Sequence, residues 1–460
     1  MSDVVAKPDV EGADAPRKRL DSLNDLAGTV ATWLLAAIFL TLPLNNLRPF
    51  REIALADILI VFLLPIAFYL FVVRLIAGRR FGSLPKWLWI GAALLVLSML
   101  LVALLPPYDP ERLVASFDAY GTEAGSSTVV GVRVIFALIV FPIVIGVVVD
   151  RWSTIRLLVN AWIIGVSISC AVAAIDVFLG LGLQKALSYD PETTGAYILY
   201  LDRQVGLSDH PNALSLMAVM VSPLIMMRMK SRAGLLRYGP VLVLICLGVL
   251  LSGARSGIVG LVLAAGLVMI MDPRFRSAIR GLRLRTGLAI GTGLVAVLLL
   301  LFAAAAAPPD SGVGKLVPSS VGRLLRSSDT TTSASDKERQ TRIHDSIGYI
   351  KERPVLGYGF KWVESSHNTV LQLLLAGGVS GLVGFFLVLA GYLKAGFSLR
   401  RLVPEDQRDT CIALTISLLI YVISGLVTNH IFERYLYIPA GLLLAMLLLS
   451  KAAPVTRNEQ

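Results

Sequence analysis

Long apolar runs separated by shorter polar segments recur along the chain from residue 26 to residue 450. A run of about eighteen or more apolar residues can cross the hydrocarbon core of a bilayer as a helix, which satisfies its own backbone hydrogen bonds. The pattern predicts about twelve such helices. They fall at residues 26–42, 54–73, 86–106, 129–149, 155–179, 212–228, 237–252, 255–271, 287–307, 367–392, 409–428 and 433–450. We therefore expect an all-α, polytopic integral membrane protein.

The polar segments divide the chain into five parts. We expect a disordered cytoplasmic tail at residues 1–25. The first nine transmembrane helices are expected at residues 26–307, and the last three at residues 367–450. Residues 451–460 predict a short cytoplasmic tail. The longest non-apolar stretch, residues 308–366, predicts a large periplasmic loop.

Two finer features are expected in the last third of the chain. Within Lys337–Lys351, isoleucines recur at helical spacing, which predicts a short amphipathic helix over the outer mouth of the bundle. Pro354 should end that helix. The next apolar run contains Gly377, Gly378 and Gly381, so we expect its helix to be kinked or broken.

The distribution of charge orients the predicted helices. The chain has 42 Lys and Arg against 31 Asp and Glu, a net charge of +11. The basic residues concentrate in alternate short loops, whereas the other loops are acidic or mixed, so the positive-inside rule places both termini in the cytoplasm. The basic balance therefore reflects membrane topology and not nucleic-acid binding. The three cysteines lie in apolar runs, a pattern that predicts neither a metal site nor a disulfide.

The step Ser365-Ser366-His367-Asn368 joins the long loop to an apolar run that begins at Thr369. Serines are common N-cap residues, so we expect His367 and Asn368 in the first helical turn, beside unbonded N–H groups. The positive end of a helix attracts anions and favours a neutral imidazole. Such a histidine suits a general base acting near a phosphate. The alternative is a polar histidine that only marks a helix start.

Arg255 interrupts two apolar runs within a short external turn. Gly253 and Gly257 on either side of it permit a tight turn and a close approach of helices. An arginine at the membrane edge is costly unless it faces a cavity or an anion, which makes it a functional candidate. The alternative is an arginine that extends to a lipid phosphate.

Four more candidates lie on the same predicted face. Arg203 and His210 precede the helix that starts near residue 212, and Arg339 and Arg342 lie three residues apart on the loop helix. Guanidinium groups bind phosphate in a bidentate manner, so several of them around a helix N-terminus would suit a diphosphate. A solvated charged face is the alternative. The external loops contain no cluster of acidic residues that would predict a metal site.

Three stretches together resemble the O-antigen ligase and polymerase superfamily of bacterial envelope glycosyltransferases, which includes exopolysaccharide polymerases. The first is ERPVLGYGF followed by SSHNTVLQLLLAGGVSGLVG, at residues 352–360 and 365–384. The second is the short turn SGARSGIVGL at residues 252–261, and the third is RQVGLSDHPNALSL at residues 203–216. The number of predicted helices and the long external loop are also similar to that family.

The resemblance implies transfer of a glycan from undecaprenyl diphosphate to a hydroxyl acceptor, without metal or cofactor, at the periplasmic face of the bacterial inner membrane. The acceptor would be lipid A core in a ligase and another lipid-linked repeat in a polymerase. By the same resemblance His367 deprotonates the acceptor, Arg255 binds the diphosphate and Arg339 is the loop arginine. An aromatic residue usual shortly after the loop arginine is Ile343 here, which leaves Arg342 as the alternative.

A polysaccharide-related transporter or lipid flippase is the rival interpretation, with the arginines lining a substrate pathway. Such proteins commonly show an internal repeat and ionisable residues near helix midpoints. The sequence has no convincing repeat, and the ionisable residues within predicted spans are few: Asp57, Arg133 and Asp176. The external grouping of candidates favours the transferase.

Overall fold

The structure is a computed structural model. It describes residues 11–48, 53–76, 84–104, 127–187, 203–275, 277, 330–360, 366, 368–428, 435 and 437–452.

Helices dominate these residues. Those of the first half are α1 (Glu11–Thr41), α2 (Leu55–Ile76), α3 (Lys86–Leu104), α4 (Ser127–Ile135), α5 (Phe141–Val148), α6 (Trp152–Leu179) and α7 (Leu183–Leu187). Those of the second half are α8 (Pro211–Arg228), α9 (Arg232–Leu251), α10 (Arg255–Met271), α11 (Thr330–Glu352), α12 (Thr369–Leu399), α13 (Glu405–Ser424) and α14 (Tyr437–Ala452). A π-helical turn, Phe136–Val140, joins α4 to α5, so that the two form one continuous span.

Apolar helices correspond to eleven of the predicted spans. Eight of these helices are long enough to cross a membrane, and three are somewhat shorter. The predicted span at residues 287–307 lies outside the described residues. The expectation of an all-α, polytopic membrane protein is confirmed.

Two helices begin earlier than the sequence pattern predicts. Helix α1 begins at Glu11, so residues 11–25 are helical and the prediction of a disordered tail was wrong for them. Helix α11 begins at Thr330 rather than near Lys337. A hydropathy pattern identifies only the membrane-spanning part of a helix. The helix itself can extend into polar sequence wherever its backbone hydrogen bonds can still form.

Helix α8 lies at the centre of the bundle. Sixteen of its 18 residues are buried, and α6, α9, α10 and α13 pack around it. Helix α10 approaches it closely: a Cβ added at Gly257 would lie 1.8 Å from the Oγ of Ser215 on α8. The predicted role of Gly257 in close helix packing is thus confirmed. This packing brings the first turns of α8 and α10 together at one end of the bundle.

Helix α12 is broken at Gly378, where φ is 59° and ψ is −161°, so the predicted kink is confirmed. Residues 354–359, which follow α11, dock into the break. Three backbone hydrogen bonds hold them: Tyr358 N–H to Leu375 O (2.6 Å), Gly359 N–H to Ala376 O (2.9 Å) and Val379 N–H to Pro354 O (2.9 Å). The docked segment fixes the end of α11 against α12.

Candidate functional site

A cavity of about 400 Å³ opens at the end of the bundle where α8 and α10 begin and α13 ends. Arg203, Arg255 and Arg339 all line it. They come from three segments far apart in the sequence: the stretch before α8, the first residue of α10, and the loop helix α11. We refer to this space as the arginine cavity. The structure thus gathers three of the arginines singled out from the sequence.

Arg203 holds the turn that carries Arg255. The half-buried Arg203 donates from Nε to the carbonyl oxygen of Ser252 (2.9 Å) and from Nη2 to Oδ1 of Asn212 (2.8 Å). In addition, the N–H of Gln204 donates to the carbonyl oxygen of Leu251 (3.1 Å). The stretch before α8 is therefore attached to the end of α9, one turn away from the start of α10.

The positive end of α10 lies at the arginine cavity. Gly253, with φ of +63°, reverses the chain between α9 and α10, and α10 begins two residues later at the exposed Arg255. The cap residue of α10 is Ala254, whose methyl side chain cannot accept a hydrogen bond from the first-turn N–H groups. An uncapped helix N-terminus attracts anions, and here an arginine adds a full positive charge to it.

Helix α11 supplies the third wall of the arginine cavity and also packs against α12. Arg339 lines the cavity and is half-buried. Arg342, one turn further along, is also half-buried but is not among the described residues that line the cavity. We expected this helix to lie over the outer mouth of the bundle, and the position of Arg339 in the cavity lining agrees with that expectation.

The start of α12 differs from the prediction. Asn368 is the N-cap and α12 begins at Thr369, so Asn368 precedes the first helical turn instead of lying in it. Three first-turn N–H groups of α12 are bound: Thr369 to Gly425 O (2.7 Å), Val370 to Asn368 Oδ1 (2.8 Å) and Leu371 to Asn368 Oδ1 (3.2 Å). Asparagine is among the most favourable N-cap residues, so the helix begins directly after Asn368 and not after either of the preceding serines in the sequence. These bonds leave α12 unsuited to hold an anion, whereas α10 has no side-chain cap in the part of the chain that the structure describes.

The capped end of α12 is nevertheless attached to the wall of the arginine cavity. Asn368 donates from Nδ2 to the carbonyl oxygen of Leu426 (2.7 Å), and Thr369 donates from Oγ1 to the carbonyl oxygen of Thr428 (3.1 Å). Thr428 itself lines the cavity. His367, the residue before the cap in sequence, lies outside the described residues.

His210 has a structural partner. It is the N-cap of α8, and its Nδ1 accepts from the N–H of Asn212 at 3.0 Å. Among the described residues, His210 does not line the arginine cavity. The cavity lining therefore does not support the expectation that His210 binds substrate together with the arginines.

Sequence reasoning did not single out Asn212, Ser424 or Thr428, which also line the arginine cavity. Asn212 stands in one of the three stretches that carry the family resemblance, so a signal for it was present. Ser424 ends α13 and Thr428 lies four residues further on. Neither carries a signal in the sequence, because Ser and Thr are common wherever transmembrane helices pack together. Their contribution depends on how α13 ends beside α10.

Residues 240–386 match the family model described as O-antigen ligase. The matched range includes Arg255, Arg339, Arg342 and Asn368, whereas Arg203 precedes it. The superfamily resemblance drawn from the sequence is confirmed, and the match supports a glycosyltransferase of the O-antigen ligase or polymerase type in a bacterial membrane. A comparison with curated proteins found no match.

Proposed function

Because residues 240–386 match the O-antigen ligase family, we propose that the protein transfers a glycan from undecaprenyl diphosphate to a hydroxyl acceptor. The reaction would occur at the periplasmic face of the bacterial inner membrane. Support for this proposal comes above all from one observation: Arg203, Arg255 and Arg339 line one cavity at the N-terminus of α10.

A diphosphate suits this cavity on grounds of charge. Arg255 and the positive end of α10 provide fixed positive charge at the membrane edge, where the low dielectric constant strengthens electrostatic interactions. Arg339 adds a second guanidinium from α11. Arg203, bound to Ser252 and Asn212, acts mainly as the positioning residue for the turn. The arginines thus take the role that a divalent cation has in many phosphate enzymes.

The proposed chemistry is a single displacement. The acceptor hydroxyl oxygen bonds to the anomeric carbon, the bond between that carbon and the diphosphate oxygen breaks, and the hydroxyl proton passes to the imidazole of His367. Undecaprenyl diphosphate leaves with the electron pair of the broken bond, and the configuration at the anomeric carbon inverts. Negative charge on the leaving diphosphate grows as the bond breaks, so the guanidinium groups stabilise the transition state more than the ground state.

The test uses purified protein in detergent, an undecaprenyl-diphosphate oligosaccharide and EDTA. Deep-rough lipid A core and a second lipid-linked repeat are offered separately, and the products are identified by mass. Glycan on lipid A core is expected for a ligase, and longer lipid-linked chains are expected for a polymerase. Product that forms equally with Arg255→Ala would contradict the proposed diphosphate site.

Failure of transfer to both acceptors by a folded protein would overturn the proposal and favour the transporter or flippase. That alternative is measured directly in proteoliposomes, because a flippase moves the lipid-linked oligosaccharide between leaflets without changing its mass.

A further inference from the structure

A second cavity, of about 420 Å³, lies where α10 ends, α12 ends and α13 begins. Its lining includes Arg274, Arg400, Arg401 and Arg408. Helix α10 begins at the first cavity and ends at the second, and its 17 residues separate the two by about 25 Å at 1.5 Å per residue. The two cavities therefore lie at opposite ends of the bundle, near opposite faces of the membrane.

The wall of this second cavity contains two acidic residues, which share one cation. Lys230 binds both of them: it forms an ion pair with Asp272 and another with Asp409, where Nζ and Oδ1 are 2.6 Å apart. Arg274 pairs with Glu405, with Nη2 and Oε1 2.9 Å apart. Lys230 balances one of the two carboxylate charges, and Arg400, Arg401 and Arg408 outweigh the other, so the cavity is positively charged.

These three arginines offer many hydrogen-bond donors. Arg400 donates from Nη2 to the carbonyl oxygen of Met271 (2.7 Å), which uses one of its five N–H donors. In the part of the chain that the structure describes, neither Arg401 nor Arg408 lies within 4.0 Å of a carboxylate oxygen. Both side chains are exposed. The group of charges suits a phosphate, which guanidinium groups bind in a bidentate manner.

Exposed apolar surface adjoins the arginines. Phe397 lines the cavity and is 46% exposed, with the guanidinium of Arg400 6.0 Å from its ring centroid. Leu402, next to Arg401, is 56% exposed, and Ile270 at the end of α10 is 71% exposed. A soluble phosphate would make no use of this surface, whereas the acyl chains of a bound lipid would pack against it.

We propose that the second cavity binds the phosphodiester headgroup of an anionic phospholipid from the leaflet opposite the arginine cavity. The headgroup contacts Arg400, Arg401 and Arg408, and the acyl chains lie along Phe397 and Ile270. Basic pockets between transmembrane helices bind anionic lipid headgroups in this way. The lipid holds α10, α12 and α13 together at one end, while the other ends of α10 and α13 line the arginine cavity. This inference does not depend on the proposed transfer reaction.

The test is native mass spectrometry of the full-length protein in detergent with added phosphatidylglycerol. The double variant Arg401→Gln/Arg408→Gln should lose bound lipid by at least about tenfold, since it removes two charge-assisted hydrogen-bonding partners. The matched control is Arg232→Gln/Arg237→Gln, which removes the same charge from exposed arginines near the start of α9, at the same end of the bundle. The control should retain the lipid. Equal retention by both double variants, or equal loss, would overturn the site.

A second measurement needs no variant. The melting temperature of the wild-type protein should rise more with phosphatidylglycerol than with phosphatidylcholine, because the net negative charge of the lipid meets a positively charged cavity. Equal rises with the two lipids would overturn the proposed headgroup selectivity. The same rise with inorganic phosphate alone would show a soluble anion as the ligand, and would overturn the lipid.

Discussion

Arg203 is bound to Asn212: the guanidinium Nη2 donates to the side-chain Oδ1 at 2.8 Å. Nine residues separate the two in sequence, and the start of α8 lies between them. Because Arg203 also binds the carbonyl oxygen of Ser252, this bond connects the first turn of α8 to the turn that carries Arg255. The central helix thereby fixes the position of one wall of the arginine cavity.

Asn212→Ala should lower transfer by about ten- to a hundredfold, the range expected when a guanidinium loses a hydrogen-bonding partner. Arg203 would then be less constrained, and the turn with Arg255 would lose part of its support. The measurement is the kcat of transfer at saturating donor, together with the melting temperature. A large fall in kcat with an unchanged melting temperature supports the positioning role.

Asn160→Ala is the matched control for that variant. Asn160 accepts from Nη1 of Arg228 at 2.7 Å, an equivalent bond near the other end of α8. Transfer by Asn160→Ala should stay close to wild type. Comparable losses in both variants would contradict a specific role for Asn212.

Arg255→Lys should lower transfer by about a hundredfold or more, the loss typical when one group that stabilises transition-state charge is removed. Lysine keeps the charge but cannot form the two parallel hydrogen bonds of a guanidinium to a phosphate. Single-turnover rates and donor affinity are to be measured separately. Full activity of this variant would favour an arginine that extends to lipid phosphate.

His367→Ala should abolish transfer without lowering expression or membrane insertion, because the variant removes the proposed base. Its neighbour provides the contrast: Asn368→Ala should destabilise the start of α12 by about 1 kcal/mol, the usual effect of losing an N-cap. Thermal unfolding and product formation are measured for both. Near-normal product from His367→Ala would remove it as the base.

Gly378→Ala should destabilise the protein by about 1–3 kcal/mol or more, since φ of 59° with ψ of −161° is a conformation that essentially only glycine adopts. An added Cβ would also lie 2.1 Å from the carbonyl oxygen of Val355, so residues 354–359 would have to move out of the break. Thermal unfolding in detergent and proteolysis near residue 355 report the two effects.

Gly266→Ala is its control. Gly266 lies within α10, and an added Cβ there would meet no atom of the described residues within 4 Å. Alanine in a helix interior is favoured over glycine by up to about 1 kcal/mol, so this variant should be neutral or more stable. If Gly378→Ala were as stable as Gly266→Ala, the docking of residues 354–359 would not be important for stability.

The sequence by itself determined the class of fold and most helices. Apolar runs long enough to cross a bilayer have few alternatives to a helix, so the pattern alone predicts the eleven spans that the described residues contain. The roles of Gly257 and Gly378 could also be predicted locally, because glycine has no side chain. At Gly257 this permits close packing of helices, and at Gly378 it permits a break in the helix. The sequence motifs alone also indicated the resemblance to the O-antigen ligase and polymerase superfamily.

Only the tertiary structure decided which candidates meet. Arg203, Arg255 and Arg339 line one cavity because α10 packs on α8 and α11 packs on α12, and distances between such segments are not encoded in sequence spacing. The structure likewise separated Arg339 from Arg342 at the cavity, and assigned His210 to a cap. That the first N–H groups of α12 are bound depends on Asn368 and Gly425, which lie 57 residues apart. Caps formed by distant backbone groups arise from packing, and local sequence does not specify them.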